Sequence, residues 1–262
     1  MELGPLLVDL EAESADLDRM VAPLEPAAWA TPTPAAGWTV AHQIAHLAWT
    51  DGAAATAASD PEAFHTMVEA AIGDPEHFVD RAAEAAARTD PAELLQTWRD
   101  GRRALARALA AVPDGGRIPW FGPPMGAASM ATARLMETWA HGQDVADALG
   151  VERTPTARLR HVAHIAVRAR GFAYGIHGRE VPDVEVRVEL AAPDGEVWTW
   201  GPDEATDVVR GPALDFCLLA TKRRHRDDLS LRTDGAAAAD WLNIIQAFAG
   251  PPGGGREPLA DR

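Results

Sequence analysis

The sequence predicts an α+β chain: a helical domain over residues 1–176, then a small α+β domain over 177–250. Two observations carry this. Up to about residue 176, apolar residues recur at helical spacing in segments punctuated by Pro, Gly and Asp. From about residue 181 the pattern changes, and VEVRVEL alternates with period two. The last residues, 251–262 (PPGGGREPLADR), read as a disordered tail.

The elements follow in order. Residues 2–22 form an amphipathic helix, with Leu6, Leu7, Leu10, Leu17, Met20 and Val21 against Asp9, Glu11, Glu13, Asp16 and Asp18. A Pro-rich loop runs from Pro23 to Pro34. Trp38-Thr39 opens a second helix over 39–58, with Thr39 as N-cap and Val40, Ile44, Leu47 and Ala48 as its buried face. Helical segments over 60–88 are broken at Asp60-Pro61 and Asp74-Pro75. Asp90-Pro91, a cap followed by proline in the first turn, opens the helix over 91–112. The loop Pro113–Ala128 is rich in Gly and Pro and carries Trp120, Phe121 and Met125. It is either the wall of a pocket or a packed connector.

Ser129–Gly150 reads as a helix capped by Ser129 and ended by Gly150. Thr154-Pro155 starts another, to about Ile176, bearing His161, His164 and Arg168 as a polar stripe. Pro193-Asp194-Gly195 turns VEVRVEL into EVWTW as a hairpin. A short strand near Val208–Arg210, a helix Pro212–Arg223, a strand LSLRT and a helix Ala236–Ala249 complete the second domain.

The totals restrict function. In 262 residues, 24 Lys and Arg against 39 Asp and Glu give a net charge of −15, which argues against nucleic acid or an anionic membrane as partner. The basic run Lys222–Arg226 is short and reads as a solvated helix end. No apolar run approaches the length of a membrane span. The acidic start MELGPLLVDLEAES lacks the basic opening of a signal peptide, and one cysteine excludes a disulfide framework, so a cytoplasmic setting is expected. Cys217 lies in the apolar stretch LDFCLLAT and reads as a packed hydrophobe.

Chemistry concentrates on the Ser129–Gly150 helix. Glu137 and His141 stand four residues apart, one turn up the same face. Side by side on a core helix they are costly to bury without a partner. Either they hydrogen-bond to each other on a solvated face, or they chelate a divalent metal. A catalytic metal commonly takes three protein ligands and keeps one open position. His46 is the best candidate for a third ligand, because its helix is strongly apolar. His42, one turn away, is a candidate for binding substrate or cofactor. Asp144 either holds the ring of His141 or His46 through its free N–H or sits on the helix surface, and Asp51 is similar. Trp49 and Trp139 read as core residues.

WTVAHQIAHLAW, followed much later by ARLMETWAHGQDVADALG, resembles the DinB-like superfamily, and within it the branch of mycothiol-dependent maleylpyruvate isomerases. The resemblance implies a four-helix bundle built from 2–22, 39–58, 91–112 and 129–149 with one long crossover, the 155–176 helix bridging to the second domain. It implies His46, Glu137 and His141 as zinc ligands and mycothiol as the thiol; the loop with Trp120 and Met125 is then expected to close over that thiol. It also implies a catalytic arginine in the C-terminal domain, for which Arg223 or Arg224 is the counterpart. The function implied is a thiol transferase or isomerase that acts on a small electrophile. Two other readings stay open: a metal-dependent hydrolase, and a non-enzymatic binding protein in which His42 or His164 closes the site.

Overall fold

The computed structural model describes residues 2–74, 77–251 and 253–259. The chain divides into two units, Met1–Arg153 and Thr154–Arg262. The boundary expected at 176 therefore falls inside the second unit.

The first unit is helical. Its elements are α1 (Leu3–Val21), α2 (Val40–Ser59), α3 (Pro61–Ile72), α4 (Phe78–Ala87), α5 (Pro91–Ala110) and α6 (Ala127–Leu149). Helix α2 packs on α5 and α6, and α1 packs on α6 and α5, which makes the four-helix core. Helices α3 and α4 are inserted between α2 and α5, and both lie against α2. Leu17, Val21, Trp29, Val40, Ile44, Leu47, Leu95 and Trp98 close one continuous apolar cluster. Burying each such side chain contributes about 1.5–3 kcal/mol. The Pro-rich loop after α1 contains a short 3-10 helix, Pro26–Ala30, that seats Trp29 in this cluster.

Caps decide where the helices start. The Asp60 carboxylate accepts from Ala63 N–H at the head of α3, and Asp90 accepts from Ala92 and Glu93 N–H at the head of α5. Helix α6 begins two residues earlier than its sequence suggests. Ile118 and Met125 exchange backbone hydrogen bonds, closing the preceding loop, and Gly126 leaves that bridge extended (φ −76°, ψ 160°). Gly126 is thus the N-cap, and Ser129 lies inside the helix. Gly150 ends it at φ 65°, the left-handed conformation that glycine adopts without strain.

The second unit holds α7 (Leu159–Arg168), α8 (Arg170–Ile176), β1 (Val186–Ala191), β2 (Val197–Trp200), β3 (Asp207–Pro212), α9 (Ala213–Ala220), β4 (Arg232–Asp234) and α10 (Ala236–Ile244). The expected single helix from 155 is two. Thr156 accepts from the N–H groups of Arg158 and Leu159 in a turn, so α7 starts only at Leu159. Ala169 (φ −83°, ψ 4°) then breaks α7 from α8. The four strands have the order β2-β1-β3-β4. Strands β1 and β2 form the expected antiparallel hairpin, β3 runs parallel to β1, and β4 returns antiparallel to β3.

Helix α9 ends at Ala220 rather than at 223, because Lys222 turns left-handed (φ 62°) and Arg223 N–H bonds back to Leu218. Helix α10 ends at Ile244, since Ile245 is extended and Ala247 N–H bonds to Ala220 O. The Asp207 carboxylate caps α10 through Ala237 and Ala238 N–H at 2.7 and 3.0 Å. Gly235 (φ 84°) permits that approach, since a Cβ there would strike the carboxylate.

In the expected tail, Leu259 N–H donates to the Asp228 carboxylate at 3.0 Å. Residues 252 and 260–262 lie outside the described residues, as does Pro75 of the expected break at Asp74-Pro75. No described helix is long and apolar enough to cross a membrane.

Candidate metal centre

Helices α2 and α6 bring three side chains together. His46 Nε2 lies 3.4 Å from Glu137 Oε2, and His141 Nε2 lies 3.1 Å from the same oxygen. One donor atom from each residue falls within a common 4.8 Å. The two imidazole centroids are 4.5 Å apart. These spacings can be compared with a tetrahedral ion whose bonds to N and O are about 2.0–2.1 Å, for which neighbouring donors stand about 3.3 Å apart. The two distances to Glu137 Oε2 match that spacing, and the three groups could hold a divalent cation.

The side chains of His46, Glu137 and His141 are 11 %, 21 % and 12 % exposed, so the centre is largely withdrawn from water but reachable. Burial alone would raise the Glu137 carboxyl. Hydrogen bonds with His141 and His46, and the charges of His141 and Arg134, outweigh it and hold the group well below the usual carboxylate range. Glu137 is therefore a carboxylate at neutral pH, the form a cation requires.

Two features were not foreseen in the sequence. Gln43, fully buried on α2, places Oε1 2.5 Å from His141 Nδ1. Asp144, which the sequence reading set either against the ring of His141 or His46 or on the helix surface, is buried on α6 at 2 % exposure. The Trp38 ring covers the imidazoles, parallel to His141 at 6.0 Å and tilted to His46 at 5.4 Å.

Beneath the centre, Arg134 and Asp51 pair at 2.9 Å, with exposures of 3 % and 2 %. Arg134 Nη2 also donates to Thr50 Oγ1 at 2.5 Å, and Trp98 Nε1 donates to Asp51 Oδ2 at 3.2 Å. Desolvation pushes the Asp51 carboxyl up, against the opposing pull of Arg134.

His42, expected to face substrate or cofactor, has both ring nitrogens engaged by the protein. Its Nδ1 accepts from Thr39 N–H at 3.2 Å and lies 2.8 Å from Thr39 Oγ1, closing a capping box at the head of α2. Its Nε2 lies 2.7 Å from Glu84 Oε2 on α4. As placed, it closes a helix end and ties two helices.

Trp120 stacks on the buried Phe64 at 5.7 Å, and Phe121 joins it in a cluster with Trp49 and Phe78. Met125 pairs with Ile118. Trp139 is buried, with the Arg153 guanidinium 5.8 Å from its ring.

In the second unit, Arg223 and Arg224 follow α9 and are half-buried. Their guanidinia donate to Thr221 O and Arg223 O. His164 Nδ1 accepts from Trp200 Nε1 at 3.3 Å. Cys217 is fully buried and burial pushes its thiol up, so it is inert as a nucleophile.

A bundle that draws two imidazoles and a carboxylate onto one point from two of its helices defines a class, the helical bundle with a candidate divalent-metal centre. The family model for the mycothiol maleylpyruvate isomerase N-terminal domain matches residues 10–146, and the chain belongs to that family. A second model, described as wyosine base formation, matches residues 182–233.

Two uncharacterized proteins of Mycobacterium tuberculosis, from strains CDC 1551 / Oshkosh and ATCC 25618 / H37Rv, are each 54 % identical over 253 residues. The match covers 97 % of this chain and 98 % of theirs. Among solved structures, the crystal structure of a mycothiol-dependent maleylpyruvate isomerase is similar with a TM-score of 0.60 at 18 % identity. It covers 89 % of this chain and 93 % of that one. A histidine-to-alanine mutant of a mycothiol-dependent maleylpyruvate isomerase gives 0.59 at 16 % over the same shares. At these identities the likeness establishes the fold.

Proposed function

We propose that this protein is a metal-dependent transferase or isomerase that uses an external low-molecular-weight thiol, mycothiol, against a small electrophile. The observation that carries the reading is the convergence of one donor atom each from His46, Glu137 and His141 within 4.8 Å, with Glu137 held ionised. Two imidazoles and one carboxylate suit zinc and leave a coordination position for a further ligand. Bound there, zinc would lower the pKa of a coordinated thiol and supply thiolate at neutral pH.

The chain's own residues supply the rest. His46, Glu137 and His141 hold the cation, and Trp38 keeps bulk water from the imidazole faces. Trp120 and Met125, in the loop that leads into α6, are assigned contact with the thiol. Arg224 is assigned to catalysis, and Asp144 to positioning the histidine ligands. Cys217 is buried, so the thiol comes from outside the chain. Membership in the mycothiol maleylpyruvate isomerase N-terminal domain family supports mycothiol as that thiol. A cytoplasmic setting, where such a thiol stays reduced, fits the reading.

The test is an assay of the zinc-loaded protein with a panel of thiols and an activated alkene. Consumption of the alkene is expected to require added thiol, to be fastest with mycothiol, and to be lost in His46→Ala. Equal rates with and without thiol, or full activity in His46→Ala, would overturn the reading.

A further inference from the structure

The protonation of one imidazole at the centre is dictated by a chain of hydrogen bonds that ends on a backbone carbonyl. Trp38 O has lone pairs only. It accepts from Thr33 N–H at 2.8 Å and from the Thr33 hydroxyl at 3.0 Å. A hydroxyl has one proton to give, and Thr33 gives it to Trp38. Thr33 Oγ1 therefore accepts from its next neighbour, the amide nitrogen of Gln43, at 2.9 Å.

This fixes which way the Gln43 amide points. With Nε2 on Thr33, Oε1 faces His141 Nδ1 at 2.5 Å. Reversing the amide would draw the Thr33 proton away from Trp38 O, which would keep only the Thr33 N–H. Gln43 has no exposed surface through which water could make up the lost bond, worth about 0.5–1.5 kcal/mol. An amide oxygen accepts only, so Nδ1 of His141 carries a proton. The other nitrogen, Nε2, is the one 3.1 Å from Glu137 Oε2. With Nδ1 protonated, Nε2 is the nitrogen that can give up its proton and offer its lone pair to a cation.

His46 has no counterpart to this arrangement. Its Nδ1 is buried without a hydrogen-bond partner among the described residues. One imidazole of the centre is thus oriented before a metal arrives, while the other is held by packing.

We propose that Gln43 and Thr33 are positioning residues that fix His141 with its proton on Nδ1 and so set the metal affinity of the centre. The proposal rests on the metal reading of His46, Glu137 and His141. It also makes the loop that carries Thr33 and Trp38 part of the centre, since one carbonyl, Trp38 O, anchors the chain of donors and sits on the residue whose ring covers His141.

The experiment uses the full chain loaded with cobalt(II), in the wild type, Gln43→Leu and Thr33→Val. Proton NMR reads the paramagnetically shifted ring N–H signals, and competition with a chelator reads affinity for zinc. The wild type is expected to show a slowly exchanging N–H signal from Nδ1 of His141. That signal should exchange rapidly or vanish in both variants, and the zinc dissociation constant should rise about 10–100-fold in Gln43→Leu.

Thr33→Val keeps side-chain volume and removes only the hydroxyl, so it decides the matter if Gln43→Leu fails to fold. Cobalt bound through Nδ1 of His141, or unchanged zinc affinity and N–H exchange in the folded variants, overturns this proposal alone. A wild-type chain that takes up no cobalt overturns the metal reading and this proposal with it.

Discussion

Asp51 and Arg134 form an ion pair at 2.9 Å between the two helices that carry the candidate ligands, with both side chains at or below 3 % exposure. Asp51 lies just past His46 on α2, and Arg134 lies three residues before Glu137 on α6. The pair therefore joins the ligand-bearing helices directly below the centre. Removing one partner leaves a buried charge uncompensated. Arg134→Met is expected to lower stability by about 3–5 kcal/mol, and Asp51→Leu added to it should recover much of the loss. Urea unfolding followed by circular dichroism checks both.

The contacts of His42 imply a local stability effect. Its ring closes the capping box of α2 and reaches Glu84 on α4. His42→Ala is expected to cost about 1 kcal/mol from the lost cap. It should also raise amide hydrogen exchange in α4 more than in α5, because α4 loses its tether to α2. Native-state exchange measured by mass spectrometry reads the difference.

Acid sensitivity follows from Asp18. A hydrogen bond from Arg99, together with the charges of Arg102 and Arg99, holds its carboxyl below the usual range, against burial. A folded-state pKa below the unfolded one gives a contribution that is complete above the unfolded value, about 3.9, and is lost as pH falls through the folded value. Asp18→Asn is expected to lose about 1–2 kcal/mol at pH 7. The gap from wild type should shrink below about pH 4. Unfolding curves at pH 7 and pH 3 test the sign.

The role proposed for Arg224 would separate catalysis from metal binding. Arg224→Gln is expected to lower kcat for thiol addition at least about tenfold, a barrier change of about 1.4 kcal/mol, with the zinc content unchanged. Turnover with saturating thiol, beside metal analysis of the same sample, provides the check. An unaltered kcat would remove Arg224 from the mechanism.

Much of this architecture was legible in the sequence because local rules govern it. Asp60-Pro61 and Asp90-Pro91 mark helix starts by caps that depend on neighbours in the chain, and both caps are present. The one-turn spacing of Glu137 and His141, and the apolar helix around His46, pointed to side chains that do converge. What escaped depends on contacts distant in sequence. The start of α6 moved to Ala127 because Ile118 and Met125 close a loop on themselves. Gln43 looked like one more polar residue on α2, and only the fold brings His141 to its oxygen. The contacts of His42 were not legible either, because a histidine here fills the capping-box position usually held by Glu or Gln, and Glu84 arrives on an inserted helix.

The most direct measurement is metal content by elemental analysis of the purified chain after incubation with zinc and removal of excess, in the wild type, Glu137→Ala and His141→Ala. The account predicts about one zinc per wild-type chain and little in either variant, with all three folded by circular dichroism. A folded wild type that retains no zinc, or variants that retain as much as the wild type, would contradict it.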